Sequence, residues 1–243
     1  MTRAGRRSLL LVLAMLIASS FTGCGAATEI SAQDVPAKAF AVRDRMHDRF
    51  AATRRLELAI ASSQLEAARA EAGVLARLDE PDLLPAWQPY VEQIRASARE
   101  IEQTPDLVAA AMTSAVLGQR CAGCHEATAA RLAFAKEAGP PGGAKLASRM
   151  ASHQWAAARL WEGLIGPSPE SWLDGARALA GAPLAIIAEG DDRPPGHAVA
   201  DDVSRIRLLA TRAMAAQTPD DRTALYGELL STCVRCHVKI RDR

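Results

Sequence analysis

Two cysteine pairs, each followed directly by a histidine, have the clearest chemistry in this sequence. They read CAGCH at residues 121–125 and CVRCH at residues 233–237. In C-x-x-C-H the two thiols lie about one helical turn apart and can add to the two vinyl groups of a haem, while the histidine gives the iron an axial nitrogen. The spacing therefore predicts two covalently bound c-type haems. The predicted thioether residues are Cys121, Cys124, Cys233 and Cys236, and the predicted proximal iron ligands are His125 and His237.

The number of cysteines agrees with two haems. The chain has five, and the fifth, Cys24, is the predicted lipidation site described below, so none is left for a disulfide. Two other kinds of site are built from Cys-x-x-Cys pairs: a four-cysteine zinc site and a thioredoxin-like redox pair. Neither explains a histidine directly after both pairs.

The two motifs belong to a longer internal repeat. They lie 112 residues apart, and the tetrapeptide QTPD precedes each of them, at residues 103–106 and 217–220. Thr as N-cap, Pro at the first helical position and Asp in the first turn predict a helix start in both copies. Each motif is therefore expected near the end of a helix, and the duplication predicts two equivalent domains.

Composition and apolar periodicity predict an all-α fold. Aromatic residues are only 4% of a sequence rich in Ala and Leu, which favours helices over sheets. The predicted linker is residues 138–143, so the predicted domains are 36–137 and 144–243, each an up-and-down bundle. The eight predicted helices are residues 36–61, 64–78, 86–102, 105–136, 144–165, 169–180, 198–216 and 219–241.

A haem motif in the last helix of a four-helix bundle resembles the cytochrome c prime family. The resemblance covers nearly the whole mature chain twice, and its specific part is the position of CAGCH and CVRCH. It implies two tandem four-helix-bundle cytochrome domains, each with its haem between helices. Mitochondrial-type cytochromes c place the motif near the N-terminus instead, whereas Cys233 begins the last eleven residues of this chain.

The resemblance also implies where the second axial ligand of each iron lies. In cytochromes c prime the first helix faces the distal side of the haem, which makes His47 and His153 the distal candidates. His153 also lies on an apolar stripe of helical spacing, where an imidazole needs a partner. Met46 and Met150 are alternative ligands, and in many members of the family the distal position is apolar and the iron is five-coordinate. His197 follows Pro-Pro-Gly and is expected in a surface loop.

The beginning of the chain predicts export and a lipid anchor. Three arginines precede an apolar segment at residues 8–18 that is too short to span a bilayer comfortably. FTGC at residues 21–24 resembles the lipobox of bacterial lipoproteins, in which a peptidase cuts before the cysteine and the thiol carries a diacylglycerol. The resemblance implies a signal peptide at 1–23, a lipidated Cys24 and a tether at 24–35. The glycine after Cys24 implies sorting to the outer membrane of a Gram-negative bacterium, facing the periplasm.

These features predict a periplasmic, membrane-tethered di-haem cytochrome c that carries single electrons between periplasmic redox proteins and is not an enzyme. The formal charge of +1 falls to −2 without the three leader arginines, so nothing indicates nucleic-acid binding. The alternative function is cytochrome c prime-like binding of NO or CO at a five-coordinate iron. Di-haem peroxidases also carry two C-x-x-C-H motifs, but they have longer chains and motifs early in mitochondrial-type domains.

Overall fold

The computed structural model describes residues 34–78, 83–130, 132–134, 138–143, 145–182 and 196–241, with only the backbone of 34–40 and 196–198. The predicted signal peptide, Cys24 and nearly all of the predicted tether lie outside these residues.

The described residues form helices and no strand, so the predicted all-α fold is confirmed. Except at the end of α4, every helix agrees with its predicted bounds within two residues. Because α7 begins at Gly196, His197 lies in its first turn and not in the predicted loop. The helices are α1 Asp34–Ala61, α2 Leu65–Ala76, α3 Gln88–Gln103 (after a 3₁₀ turn at Pro85–Trp87), α4 Leu107–Ala127, α5 Leu146–Ile165, α6 Pro169–Gly181, α7 Gly196–Met214 and α8 Pro219–Arg241.

Helix α4 ends at Ala127, directly after the first motif and nine residues before its predicted end. Ala129 adopts a left-handed φ of 51°, and the N–H of Ala130 donates to the carbonyl of His125 at 2.9 Å. This arrangement is a Schellman cap, in which glycine usually takes the left-handed position. Because alanine occupies that position here, the sequence has no recognisable stop signal, and the predicted helix is too long.

The two QTPD segments begin their helices differently. In the second copy Thr218 caps α8 as predicted, and its hydroxyl accepts the N–H of Asp221 at 3.1 Å. In the first copy the predicted cap at Thr104 is wrong: Asp106 caps α4, and its carboxylate accepts two backbone N–H groups at 2.9 and 2.8 Å. The carbonyl of Thr104 instead accepts the guanidinium of Arg69 at 2.6 Å. The carbonyl of Asp106 accepts the first helical N–H, that of Ala110, so α4 begins two residues later than predicted.

The two helices that carry the motifs, α4 and α8, pack against each other in antiparallel directions. Gln119, near the end of α4, donates a hydrogen bond to Asp220 at the start of α8. Met112 lies against Gly227, where a Cβ would come within 2.9 Å of the methionine sulfur, so glycine permits the close approach. The motifs therefore lie at opposite ends of this helix pair.

Helix α5 and the end of α1 complete the core between the motifs. Trp161 of α5 is 1% exposed, and its ring packs against Tyr226 of α8 with 5.4 Å between ring centroids. Its indole N–H donates to the hydroxyl of Thr53 in α1 at 3.3 Å. On its other side α5 approaches α6 at Gly163, where any Cβ would collide with the backbone of Trp172.

Contacts divide the chain into two units, residues 1–45 and 46–243. The described part of the first unit is helical and has an exposed ion pair, Arg43–Asp44. In the second unit helices pack within each predicted copy and also across the copies, where α4 contacts α5 and α8. Residues 138–143, the predicted linker, are exposed and not helical. The division into two four-helix domains stays a prediction.

Among the described helices, α4 has the length and composition of a membrane-crossing segment. A core helix of a soluble protein can pass the same test. Helix α4 packs against α3, α5 and α8, and this packing accounts for its apolar composition.

Two neighbouring leucines of α7 give a matched test of this packing. Leu209 is fully buried in the core, whereas Leu208 is 51% exposed. We expect Leu209→Ala to lower the free energy of unfolding by about 2–5 kcal/mol, because it removes buried apolar atoms and leaves a cavity. Leu208→Ala should change it by less than about 0.5 kcal/mol. Urea unfolding followed by circular dichroism measures both, and equal losses would contradict the orientation of α7.

Candidate functional site

The two C-x-x-C-H motifs occupy the last turns of α4 and the C-terminal part of α8. Within each motif the cysteines are three residues apart on a helix, so both thiols lie on the same face. All four are free thiols: Cys121, Cys124 and Cys233 are half-buried, and Cys236 is buried.

Both motif histidines are held by a backbone carbonyl. Nδ1 of His125 lies 2.8 Å from the carbonyl oxygen of Ile165, the last residue of α5. Nδ1 of His237 makes the same contact with the carbonyl oxygen of Ala61, the last residue of α1. Because a carbonyl only accepts, Nδ1 carries the proton and donates in each ring. Nε2 then keeps a lone pair, which is the form in which imidazole binds a metal.

These two hydrogen bonds are exchanged between the copies. His125 of the first copy uses the first helix of the second copy, and His237 of the second copy uses the first helix of the first. The last carbonyls of a helix have no partner inside the helix, so they are available to accept these N–H groups. Each motif is therefore oriented by the other copy of the repeat.

A cavity of about 240 Å³ lies beside the second motif. Its walls come from α1, α5, α7 and α8. Cys233, Cys236 and His237 line it from α8, and Met150 and His153 line it from α5. A single water needs only about 10–15 Å³, so the cavity has room for a much larger group.

His153 contributes a buried nitrogen to this cavity. Its Nε2 has no hydrogen-bond partner among the described residues. Burial lowers the pKa of His153 to about 4, and the charge of His237 adds to this shift. The ring of His153 is therefore neutral at pH 7. Because the two histidines interact electrostatically, the ring also lies near His237. Such a buried polar atom costs free energy unless something binds it. His153 also lines a smaller cavity of about 130 Å³ beside the linker residues 141–143.

Buried polar side chains form another part of the cavity wall. Glu57 is 5% exposed and pairs with Arg54, one turn earlier in α1. Burial raises the pKa of Glu57 in spite of Arg54. Burial also raises the pKa of Tyr226 well above its ordinary value, and the charge of Glu57 adds to this effect. A second buried pair of the same spacing, Arg159–Glu162, lies in α5.

Different residues of α1 lie near the first motif. Met46, Arg49 and Phe50 are half-buried and share one face of the helix, whereas the predicted distal residue His47 is exposed. Arg49 donates to the sulfur of Met46 at 3.7 Å. Burial lowers the pKa of His125, its bond to the Ile165 carbonyl opposes this, and the charge of Arg49 lowers the pKa further. The guanidinium therefore lies close enough to His125 to act on it electrostatically.

Two phenylalanines pack beside the point where His125 is held. The rings of Phe50 and Phe134 have 5.6 Å between centroids. Phe134 also packs on Gly166, where a Cβ would collide with its ring. Gly166 directly follows Ile165, so the aromatic pair lies next to the carbonyl that orients His125.

The antiparallel packing of α4 and α8 separates the two motifs widely. His125 lies six residues beyond Gln119, and His237 lies seventeen residues beyond Asp220, the partner of Gln119, in the opposite direction. At 1.5 Å per residue the two histidines are roughly 34 Å apart along the helix axes. By the same count the cysteine pairs are at least roughly 22 Å apart, and the described residues contain no cluster of three potential metal-ligating side chains. A shared four-cysteine zinc site is therefore excluded.

The environment of the thiols also argues against a thioredoxin-like pair. Burial raises the pKa of Cys121 and of Cys233 to about 12. It also raises the pKa of Cys124 and of Cys236. Disulfide exchange needs a thiolate and hence a lowered pKa. These thiols are protonated at neutral pH, which does not suit that chemistry.

Several participants are not evident from the sequence. The carbonyls of Ala61 and Ile165 have no side-chain signature, and Arg49 looks like any charged residue on a helix surface. The buried ion pairs leave no distinctive signal either, because R-x-x-E occurs at residues 54–57 and 159–162 but also at 77–80 and 99–102.

Comparison of the chain with protein-family models, with curated proteins and with solved structures finds no match. The resemblance to cytochromes c prime therefore depends on the motifs and on their position in the helices.

The buried carboxyl of Glu57 predicts a dependence of stability on pH. The pKa of Glu57 in the folded protein is raised above the ordinary value of 4.5, which applies to the unfolded chain. Between these two pKa values the carboxyl is protonated in the folded state and ionised in the unfolded state. We therefore expect the wild type to lose stability relative to Glu57→Gln as the pH rises from about 4.5 through the raised pKa. Urea unfolding at a series of pH values measures this, with Glu66→Gln, at an exposed carboxyl, as the control. A difference that stays constant with pH would contradict the prediction.

Proposed function

We propose that the protein is a di-haem c-type cytochrome that carries single electrons between periplasmic redox proteins, and that it is not an enzyme. One haem would be held by Cys121, Cys124 and His125, and the other by Cys233, Cys236 and His237. The observation that carries the proposal is the pairing at the second motif. There His237, oriented by a carbonyl, and His153, whose buried Nε2 has no hydrogen-bond partner among the described residues, line the same cavity next to two free thiols.

The donor set of the second site suits a haem better than a bare metal ion. The two thiols are free and not joined in a disulfide, as required for addition to vinyl groups, and they do not form a metal-binding cluster with the histidines. Nε2 of His237 and Nε2 of His153 come from α8 and α5, two different walls of the cavity. Two imidazoles from different helices match the two axial positions of haem iron.

When bound, a haem supplies a one-electron iron couple. The protein residues then set its environment. The carbonyl of Ala61 fixes the ring of His237 and makes Nε2 a better ligand. His153 would hold the iron together with His237 and leave no open position for a substrate. Arg54 and Glu57 place charge beside the site, and nearby charge is one determinant of a haem potential.

The first motif has the same means of orienting its proximal histidine. The carbonyl of Ile165 holds His125 in the metal-binding form, and the thiols of Cys121 and Cys124 lie on one face of α4. Because the proximal histidines are roughly 34 Å apart along the helices, we propose that each haem exchanges electrons with partners at its own end of the α4–α8 pair.

The proposal includes the tandem arrangement of cytochrome c prime-like four-helix domains and the location of the protein. Export would be directed by residues 1–23, and the lipid on Cys24 would anchor the mature chain to the outer membrane of a Gram-negative bacterium, in the periplasm. Support comes from the apolar leader and from FTGC at residues 21–24.

The ligand arrangement is tested with holoprotein purified after co-expression with a haem-attachment system. We expect two haems per chain that stay bound after denaturation and acid–acetone extraction, because thioether bonds are covalent. We expect the number of haems per chain that bind carbon monoxide to be higher by one in His153→Ala than in the wild type, since the substitution opens an axial position. His47→Ala is the matched control and should add none. Haem that is extracted from the denatured chain would refute covalent attachment, and equal behaviour of the two variants would refute His153 as a ligand.

The anchor is tested by Cys24→Ser in cells. We expect the wild type to sediment with membranes and to need detergent for release, because a diacylated N-terminus partitions into lipid. Cys24→Ser should appear in the soluble fraction, or retain its leader because the lipoprotein peptidase does not cut it. Mass spectrometry of the N-terminal peptide distinguishes these forms. An unmodified Cys24 in the mature wild type would contradict the proposal.

A further inference from the structure

Glu57 is the one carboxyl among the described residues that line the cavity of the second motif. It is 5% exposed and forms an ion pair with Arg54, one turn earlier in α1. Apart from Arg54, Gln154 and the residues assigned to the haem, the rest of the lining is apolar. In such surroundings a charge interacts with its neighbours far more strongly than it does in water.

An attached haem would leave few groups beside this cavity that still titrate. The thioether bonds would consume both thiols of the motif in α8, and the iron would take the imidazoles of α5 and α8, whereas the lining from α7 is apolar. Arg54 keeps its proton at all ordinary pH values. Tyr226, which lies beside Glu57 in α8, has a pKa that burial raises well above its ordinary value. Glu57 is therefore the lining residue that can still change its protonation near neutral pH.

Reduction of a haem removes one positive charge from its iron. A ferric haem in this cavity favours the ionised carboxyl of Glu57, and loss of the charge on reduction favours the protonated carboxyl. Burial already raises the pKa of Glu57, although Arg54 and then Tyr226 lower it. A change of charge beside this carboxyl therefore shifts its protonation within the ordinary pH range.

We propose that reduction of the second haem is coupled to the uptake of one proton by Glu57, so that this site takes up an electron and a proton together. The inference depends on the proposed function, because it concerns a haem at the second motif. The electron comes from the redox partner and converts ferric to ferrous iron. The proton comes from water and converts the carboxylate of Glu57 to the carboxylic acid, and oxidation of the haem releases both. The side chain of Arg54 is 31% exposed and connects the carboxyl with solvent.

The coupling is tested by redox titration of the purified di-haem holoprotein at a series of pH values. Between the pKa values of Glu57 in the ferric and ferrous states, a rise of one pH unit should disfavour reduction of one haem by up to about tenfold, or about 59 mV. Glu57→Gln should lose this dependence, because an amide does not titrate. The contribution of the haem propionates is common to both proteins and cancels in the comparison. Glu66→Gln, at an exposed carboxyl of α2, is the control and should behave like the wild type.

Infrared difference spectra identify the group that takes up the proton. In ferrous-minus-ferric spectra we expect the C=O band of a protonated carboxyl to appear in the wild type and to be absent from Glu57→Gln. Arg54→Gln should move the pH-dependent range to higher pH, because it removes the cation that lowers the pKa of Glu57.

Three results would overturn the inference: the same pH dependence in the wild type and Glu57→Gln, no carboxyl band on reduction of the wild type, or an unmoved pH range in Arg54→Gln. Absence of covalent haem at the second motif would instead refute the proposed function. Unchanged haem content and far-ultraviolet circular dichroism show that each variant is folded.

Discussion

The exchange of two hydrogen bonds between the copies is the constraint on which both candidate sites depend. Each motif histidine donates from Nδ1 to the last carbonyl of a helix in the other copy, at Ile165 or Ala61. The two helices must therefore end at those residues. After Ala61, Ser63 takes a left-handed φ of 59°, and Gln64 donates back to the carbonyl of Ala59 at 2.8 Å. Termination of α1 thus decides how an imidazole 176 residues later in the chain is oriented.

The antiparallel packing of α4 and α8 determines where the two exchanged bonds lie. Gln119 of α4 bonds Asp220 at the start of α8, so the motif near the end of each helix lies at its own end of the pair. The space between them is filled by Trp161 and Tyr226, which are almost fully buried. Glu57 lies at the boundary of this core and the second cavity, so a carboxyl with a raised pKa separates apolar packing from the site. The internal repeat therefore forms one interlocked arrangement in residues 46–243.

The sequence predicted what depends on local chemistry. Helix periodicity, prolines and capping residues gave seven of the eight helices to within two residues at both ends, and C-x-x-C-H identified the residues most suited to chemistry. It failed where the deciding group has no side-chain signature. The end of α4 depends on a left-handed Ala129, and near its start the Thr104 carbonyl accepts Arg69 while Asp106, two residues later, is the cap. Of the two predicted distal histidines, His153 lines a cavity with its motif, because the apolar stripe around it marked a buried face. His47 had no such stripe, and it is exposed.

The exchanged architecture also explains how two copies of one repeat can acquire different sites. In a self-contained bundle, a change in the first helix would affect both the carbonyl that holds a motif histidine and the side chains that face the same motif. Here the N-terminal part of each first helix faces one motif and its last carbonyl holds the other, twelve residues and about 18 Å away. Arg49 and the Ala61 carbonyl of the same helix therefore act on different motifs, the first on His125 and the second on His237. A side-chain substitution at position 49 or 153 leaves in place the two backbone carbonyls that orient the motif histidines.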